Sequence, residues 1–191
     1  KVMMAETGSV AVFNGVHQPF DFRDFPVPDP EPGAVVIRMR MANVCGSDLH
    51  YWRGDTDLEA RGFALPGTLG HEGTGEIAKL GAGVTADTAG RPLHEGDRVI
   101  FSYFHPCTLC PTCLAGHPYA CPTRQIDRMR PLNEWPYFRG TFADYYYLFP
   151  NHAVFRVPDH LPDDVIAGVN CALTQVVSGL ERAQQGINET V

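Results

Sequence analysis

Four of the six cysteines in the chain lie between positions 107 and 121, in the stretch HPCTLCPTCLAGHPYACPT. They follow the spacing CxxCxxCx7C and are Cys107, Cys110, Cys113 and Cys121. This spacing lets four thiolates converge from one compact loop on a tetrahedral ion, and zinc prefers such ligands in closed structural sites. We therefore predict a structural zinc, which stabilises the loop and does no chemistry because no coordination position is open.

Three other interpretations of the four cysteines are possible. Disulfides require an oxidising compartment, which no other feature of the sequence supports. An iron–sulfur cluster is a closer alternative, because bacterial ferredoxins contain CxxCxxCxxxCP and Pro122 follows Cys121 here. The final gap, however, is seven residues and not three. Four cysteines buried separately do not explain this density, so structural zinc is the preferred interpretation.

The other two cysteines belong to a second, dispersed set of residues. Cys45 lies in NVCGSDLHYW and Cys171 in GVNCALTQ, and His71 and Glu72 stand between them in GHEGTGEI. A Cys/His/Cys set can hold a zinc ion with one coordination position open. A lone cysteine, however, is usually a small buried hydrophobe and a lone histidine a satisfied side chain. Spacing alone leaves both interpretations open.

The elements that carry these residues are short apolar runs separated by Gly, Pro and Asp. In VVIRMRMANV, alternation places Ile37, Met39 and Met41 on one face and Arg38 and Arg40 on the other, as in a half-buried strand. Similar runs predict strands over residues 9–13, 73–80, 97–102, 142–149 and 153–157. With 19 Gly and 16 Pro, this pattern predicts a mainly β fold with helices, as a barrel or sandwich.

The pattern changes near residue 159, where a helical tail (residues 159–191) begins. Pro162, Asp163 and Asp164 predict the start of a helix, where the helix dipole stabilises the two carboxylates. The apolar residues that recur at helical spacing are Val165, Val169, Leu173, Val176 or Val177, and Leu180. The pattern predicts that a further strand begins at GINETV. We therefore expect the chain to be the front part of a larger α/β protein.

The formal charge of −7, from 22 acidic and 15 basic side chains, argues against a nucleic-acid partner. No apolar run approaches the length of a membrane span, which is roughly 18 residues. The first residues, KVMMAETGSVAVFNG, lack the apolar core of a signal peptide. We expect a protein of the reducing cytoplasm that does not bind membranes.

An ordered set of motifs resembles one known family. In sequence order, CGSDLHYW, GHEGTGEI, EGDRV, the four-cysteine loop and GTFADYY are similar to the catalytic domain of the zinc-dependent medium-chain dehydrogenases, which include alcohol and polyol dehydrogenases. The resemblance implies a chaperonin-10-like β-barrel over residues 1–158, with a structural zinc lobe at 104–124. It implies that residues 159–191 complete the catalytic site and lead to an α/β Rossmann domain absent from this chain.

The resemblance also assigns roles. It implies two zinc ions per chain, one in the four-cysteine loop and a catalytic zinc on Cys45, His71 and Cys171. Glu72 matches a glutamate that approaches or binds the metal, and Asp48 matches the carboxylate that orients His71. Two further residues, both also assigned to cofactor binding, match the hydroxyl and the solvent-side imidazole of a proton relay: Ser47 and His50.

The implied reaction transfers hydride between an alcohol and NAD or NADP, giving an aldehyde or ketone, and the complete enzyme is expected to be a homo-oligomer. The loop CGSDLHYW is typical of the polyol branch, whereas Cys171 is typical of alcohol dehydrogenases, so the alcohol stays open. Phe104, Trp135, Tyr137 and Phe138 either line a substrate pocket or serve only packing.

Within this chain, GAGVTA (residues 81–86) fits GxGxxA, but no helix pattern follows, so we predict a loop and no dinucleotide site. A stand-alone zinc-stabilised binding or scaffold module is the main alternative to an enzyme. A metallohydrolase is a third possibility, but GHEGTGE lacks the second histidine of HExxH.

Overall fold

The fold is mainly β, as predicted, and the computed structural model describes residues 6–123 and 129–184. The strands are β1 (Thr7–Phe13), β2 (Asp21–Pro26), β3 (Val35–Asn43), β4 (Gly67–Thr68), β5 (Glu72–Leu80), β6 (Arg98–Phe101), β7 (Tyr145–Leu148) and β8 (Val154–Arg156). The helices are α1 (Gly46–Arg53), α2 (Pro111–Leu114), α3 (Asp163–Ile166) and α4 (Thr174–Arg182), with a 3₁₀ turn at Pro118–Ala120 and a π-helical turn at Val169–Leu173.

The strands form two antiparallel sheets that are joined at one edge. One sheet has the order β2-β1-β4 and the other β7-β3-β5-β6-β8. Residues 142–144 connect them: Ala11 N–H donates to the Phe142 carbonyl at 2.9 Å, and Asp144 N–H donates to the Ser9 carbonyl at 2.9 Å. Among the described residues, every strand pairing is antiparallel.

The five-stranded sheet is buried on both faces near β3 and β7. Val36 packs in one apolar cluster with Tyr145 and Tyr147. The alternate residues Val35 and Ile37 pack in a second cluster on the other face. This explains why all four residues of β7, YYYL, are buried although they show no polar alternation.

The strand β2 and the helix α1 were not predicted. The strand β2 (DFRDFP) is an edge strand with mostly exposed side chains; it pairs with β1 along its backbone, and its Phe25 is partly buried against the core. The helix α1 begins directly after Cys45, which is its N-cap residue. Its sequence, GSDLHYWR, contains a single buried residue, Asp48, so no apolar periodicity marked it as a helix.

The helical tail is present, in three short pieces. Pro162 is the N-cap residue of α3, and Asp163 anchors the start of the tail by accepting from Arg40 Nε at 2.7 Å and pairing with Arg98 Nε at 3.3 Å. Within this tail, five apolar residues remain between 40% and 59% exposed: Val165, Leu173, Val176, Val177 and Leu180. The strand expected at GINETV lies outside the described residues. No described helix is long and apolar enough to cross a membrane.

The GAGVTA segment is a loop that follows β5, as predicted, and a buried carboxylate organises the residues after it. Asp87 Oδ1 accepts from the backbone N–H of Ala89 at 3.0 Å and of Arg91 at 2.9 Å. Its Oδ2 accepts from Arg91 Nε and from Arg156 N–H, both at 2.9 Å. Burial opposes ionisation, but these donors outweigh it and lower the pKa of Asp87.

Replacing Asp87 with alanine should therefore lower the free energy of unfolding by about 2–4 kcal/mol, because a fully buried carboxylate with charged and backbone donors is lost. The folded-state pKa lies below the unfolded value of about 4, so the stabilisation is present above pH 4 and is lost as pH falls. Urea unfolding at several pH values checks both points. Asp29→Ala is the control, because Asp29 is 94% exposed and pairs only with Lys79. Equal midpoints for the two variants would contradict the prediction.

Two candidate metal centres

The four-cysteine loop brings its sulfur atoms to the spacing that a tetrahedral zinc ion needs. All four sulfur atoms, from Cys107, Cys110, Cys113 and Cys121, lie within 4.8 Å of one another. The Cys121 sulfur is 3.7 Å from that of Cys107 and 4.0 Å from that of Cys110. Zinc–sulfur bonds of about 2.3 Å in a tetrahedron place sulfur atoms about 3.8 Å apart. The loop geometry thus fits a structural zinc.

Backbone and hydroxyl donors in the loop favour thiolates. Cys110 N–H donates to the Cys107 sulfur at 3.3 Å, and Cys107 N–H donates to the Cys121 sulfur at 3.4 Å. The Thr123 hydroxyl, 3.3 Å from the Cys121 sulfur, and the Cys107 N–H lower the pKa of Cys121 to about 6. Loss of hydration and the neighbouring thiols raise the pKa of Cys113 to about 12. The set therefore needs a cation before all four sulfurs can be ionised together.

A second cluster forms from residues that are far apart in the sequence. Cys45, His71, Glu72 and Cys171 each place one ligand atom within 4.8 Å of the others. Cys45 follows β3, His71 and Glu72 stand at the start of β5, and Cys171 lies in the π-helical turn. Cys45 is partly exposed, and the other three are buried. The structure thus brings together the three predicted zinc ligands and the predicted neighbouring glutamate.

Asp48 links two of the ligand segments. One carboxylate oxygen, Oδ2, accepts from Cys45 N–H at 3.0 Å. The other, Oδ1, accepts from Gly70 N–H at 3.2 Å and lies 3.5 Å from His71 Nδ1. Asp48 is 3% exposed, so this arrangement is shielded from water. A histidine that uses Nδ1 toward a carboxylate presents Nε2 to a metal, the usual arrangement in zinc proteins.

Cys171 is surrounded by groups that disfavour a bare thiolate. Burial raises its pKa to about 12, together with the nearby Cys45 thiol and the Glu72 carboxyl. Gln175 Nε2 donates to the Cys171 sulfur at 3.4 Å. Two thiols, a carboxyl and an imidazole converge here, and these are the ligand types that zinc binds in proteins. The donor set thus suits zinc.

Tyr103 and Gln175 were not found by sequence reasoning. The Tyr103 ring centroid lies 5.1 Å from that of His71, and burial and the nearby Cys171 raise the pKa of Tyr103 to about 12. Gln175 stands four residues after Cys171, a spacing that places side chains on one side of a helix and offered a signal. Tyr103 lies in the irregular segment after β6, where no periodicity indicates a direction.

The two predicted relay residues lie on α1. Ser47 is half-buried in the first turn, two residues after Cys45. His50 is exposed, and its Nδ1 lies 2.8 Å from Asp55 Oδ2. Neither belongs to the cluster of candidate ligands. Ser47 lies at the half-buried start of α1, and His50 lies one turn further on, at the surface.

Most of the aromatic residues that were candidates for a substrate pocket have packing roles. Phe138 is fully buried, Tyr137 stacks on Phe25 with ring centroids 5.1 Å apart, and Trp135 contacts Tyr147 at 5.0 Å. Phe104 differs from them. It lines a cavity of about 160 Å³ together with Ile100, Phe101, Ser102, Phe155, Asn170 and Thr174.

Gly70 permits the close approach that places His71. Its φ is +84°, and a Cβ there would stand 2.5 Å from Thr141 Oγ1 and 2.7 Å from Phe142 Cδ1. Gly70→Ala should therefore lower the free energy of unfolding by about 2–5 kcal/mol, from left-handed backbone strain plus overpacking. Gly90→Ala isolates the backbone part, because Gly90 has φ +82° and open space around it. Urea unfolding of both variants checks the difference, and equal losses would contradict it.

Comparison with known proteins identifies the family to which the chain belongs. Residues 31–159 match the family model described as "Alcohol dehydrogenase GroES-like domain". The match covers more than half of the 191 residues. The chain belongs to the zinc-dependent medium-chain alcohol dehydrogenases. As in this family, its β-rich domain is GroES-like, that is, chaperonin-10-like.

Individual members of the family resemble this chain over most of its length. It is 37% identical to the 5-exo-hydroxycamphor dehydrogenase of Pseudomonas putida, over 88% of this chain and 45% of the relative. An alcohol dehydrogenase from Thermotoga maritima has a similar structure, with a TM-score of 0.80, 27% identity, and coverage of 97% and 49%. An acetophenone reductase from Geotrichum candidum, solved in complex with NAD, has a TM-score of 0.63, 27% identity, and coverage of 87% and 43%. The chain thus spans about half the length of the relatives it matches.

Proposed function

We propose that this chain is the catalytic domain of a zinc-dependent oxidoreductase that transfers hydride between an alcohol and NAD or NADP. The convergence of Cys45, His71, Glu72 and Cys171 within 4.8 Å is the observation that carries the proposal. Membership of the alcohol dehydrogenase family supports the same general reaction.

Cys45, His71 and Cys171 would hold the catalytic zinc, and Glu72 is the alternative fourth ligand. Three protein ligands leave a position open for the alcohol oxygen, and the bound ion supplies Lewis-acid chemistry that makes the hydroxyl more acidic. Asp48 holds the His71 ring through Nδ1, so that Nε2 remains the ligand atom. The four cysteines of the loop would hold a second, structural zinc, which gives two ions per chain.

Ser47 and His50 would carry the substrate proton to solvent. Ser47 would accept the proton from the alcohol hydroxyl and release its own hydrogen toward His50, which lies further along α1. Both side chains would also contact the bound cofactor. His50 would receive it at the surface, where its Nδ1 lies 2.8 Å from Asp55 Oδ2. Removal of the proton by this route leaves no additional charge in the buried site when hydride leaves the alcohol carbon.

The cofactor would bind on a following Rossmann domain, with residues 1–158 as the catalytic domain and 159–191 as the connection to it. The chain spans 43% to 49% of the three relatives compared above, and the acetophenone reductase among them was solved with NAD. The exposed apolar residues of α4, among them Val176 and Leu180, offer a surface for such a domain. A hydroxycamphor dehydrogenase among the relatives supports a secondary alcohol as one substrate class.

The proposal is tested with the full-length protein that contains this chain. Metal analysis should find two zinc ions per chain, and a series of primary, secondary and polyhydric alcohols should reduce NAD or NADP. The absorbance of the reduced nicotinamide measures the rate. A protein that binds both zinc ions but neither cofactor, and that oxidises none of these alcohols, would instead be a zinc-stabilised binding module.

A further inference from the structure

The side-chain amide of Asn170 connects three parts of the second metal centre. Its Nδ2 donates to the His71 carbonyl at 3.0 Å and to the Phe101 carbonyl at 3.1 Å. His71 stands at the start of β5, Phe101 ends β6, and Asn170 itself precedes Cys171 in the π-helical turn. Both amide hydrogens are therefore used to join the tail segment to the two strands beside the candidate ligands.

The backbone at this point has an unusual conformation. Val169–Leu173 forms a π-helical turn between α3 and α4, and such turns are rare and frequent at functional sites. Thr174 Oγ1 donates to the Val169 carbonyl at 2.6 Å, within the same turn. The Asn170 amide adds the contacts from this turn to β5 and β6, next to the one cysteine of the cluster that the tail supplies.

The side-chain carbonyl oxygen of Asn170 destabilises the fold, and packing alone does not explain why it is there. Asn170 Oδ1 is buried and has no hydrogen-bond partner among the described residues. A buried acceptor without a partner destabilises the fold, so an apolar side chain would be preferred here if the position served only packing. The two donated hydrogen bonds thus point to a role in placing the neighbouring residues.

We propose that Asn170 is a positioning residue for the catalytic zinc. Its side-chain amide holds the Cys171 sulfur at ligand distance from His71. The inference rests on the proposed function of the Cys45, His71 and Cys171 set. Cys45 and His71 are already joined through Asp48, whereas Cys171 arrives on a separate segment. Without the Asn170 amide, metal binding would have to order the turn at the same time, which weakens affinity.

The test measures metal affinity at each centre in the full-length protein. Asn170→Ala removes the amide, and Asn170→Leu removes it while keeping the same number of side-chain heavy atoms and the same branching at Cγ. Both should lower zinc affinity at the second centre by about 10–100-fold in chelator competition, the effect typical of residues that orient ligands. Affinity in the four-cysteine loop should not change. With cobalt in place of zinc, the sulfur-to-cobalt charge-transfer absorption of the second centre should weaken.

Asp163→Asn is the matched control, because Asp163 also attaches the tail to the sheet, through Arg40 and Arg98, but is not adjacent to a candidate ligand. It should change stability and leave affinity at the second centre within about twofold of the parent, in contrast to the 10–100-fold expected for the Asn170 variants. An equal loss in Asp163→Asn would show that any loosening of the tail has this effect, and would overturn the proposal.

Two further outcomes separate this inference from the proposed function. If the parent protein binds two zinc ions and is active, and the Asn170 variants bind both ions equally well, the positioning role is wrong and the proposed function stands. If the parent protein itself binds no metal at the second centre, the proposed function fails first. Variants that also lose zinc from the four-cysteine loop would show a role in the whole fold, which likewise overturns the proposal.

Discussion

Replacing Cys45 with serine or His71 with alanine in the complete protein should lower kcat/KM for alcohol oxidation by at least about 10³-fold while the fold persists. Lewis-acid stabilisation by a bound metal contributes several kcal/mol to a transition state, and each 1.4 kcal/mol corresponds to a tenfold change in rate. Both residues belong to the proposed set of three ligands, which would leave one coordination position open. The loss should therefore appear in catalysis and not in stability.

Steady-state kinetics, zinc content and circular dichroism check this result together. The zinc content should fall from two ions per chain to one, because the four-cysteine loop keeps its ion. His94→Ala is a suitable control for His71→Ala. The His94 side chain is 73% exposed, and its Nδ1 lies 3.5 Å from Asp97 Oδ2. Full activity of Cys45→Ser would exclude the proposed zinc site.

Replacing Cys110 with serine should have the opposite pattern, with loss of structure first. Structural zinc contributes on the order of 10 kcal/mol to the folding of small zinc domains, so the loop should lose its conformation when one ligand is removed. Cys110 is also the N-cap residue of α2, and its backbone N–H donates to the Cys107 sulfur at 3.3 Å. The change should thus affect both the ion and the local backbone.

Limited proteolysis and thermal unfolding measure this effect. Cleavage should increase within residues 104–123, and the zinc ion in the second centre should be retained. Leu114→Ser is the matched control in the same helix, because Leu114 is 74% exposed and its side chain is not a ligand. A Cys110→Ser variant as stable and as resistant to protease as Leu114→Ser would exclude a structural metal in the loop.

The sequence determined the features that depend on short-range spacing. The four cysteines of the loop lie within one short segment, so CxxCxxCx7C was sufficient to predict that their sulfurs converge. The alternation in VVIRMRMANV was sufficient for β3, although Met41 at its end is 36% exposed. In both cases the residues that interact are close in the chain, and local geometry fixes their relative positions.

Local pattern missed the edge strand β2, and it predicted a strand over residues 142–149 without indicating that β7 is buried on both faces. The edge strand β2 shows no apolar alternation because it pairs with β1 along its backbone and most of its side chains, Phe25 excepted, are exposed. The run YYYL in β7 lacks alternation because each face of the sheet packs against its own core cluster. The aromatic residues near position 137 were ambiguous for the same reason, since only the packing of Phe138 and Tyr137 shows that they belong to the core.

Only the tertiary structure decided the second centre. Motif resemblance suggested Cys45, His71 and Cys171, but their convergence depends on the pairing of β3 with β5 from Val35↔Leu80 to Asn43↔Glu72. Cys171 reaches the same place on the tail, whose Asn170 amide donates to the His71 carbonyl at 3.0 Å. No local propensity encodes such contacts, because the partners are far apart in the chain and meet only after the sheet has formed and the tail has packed against it.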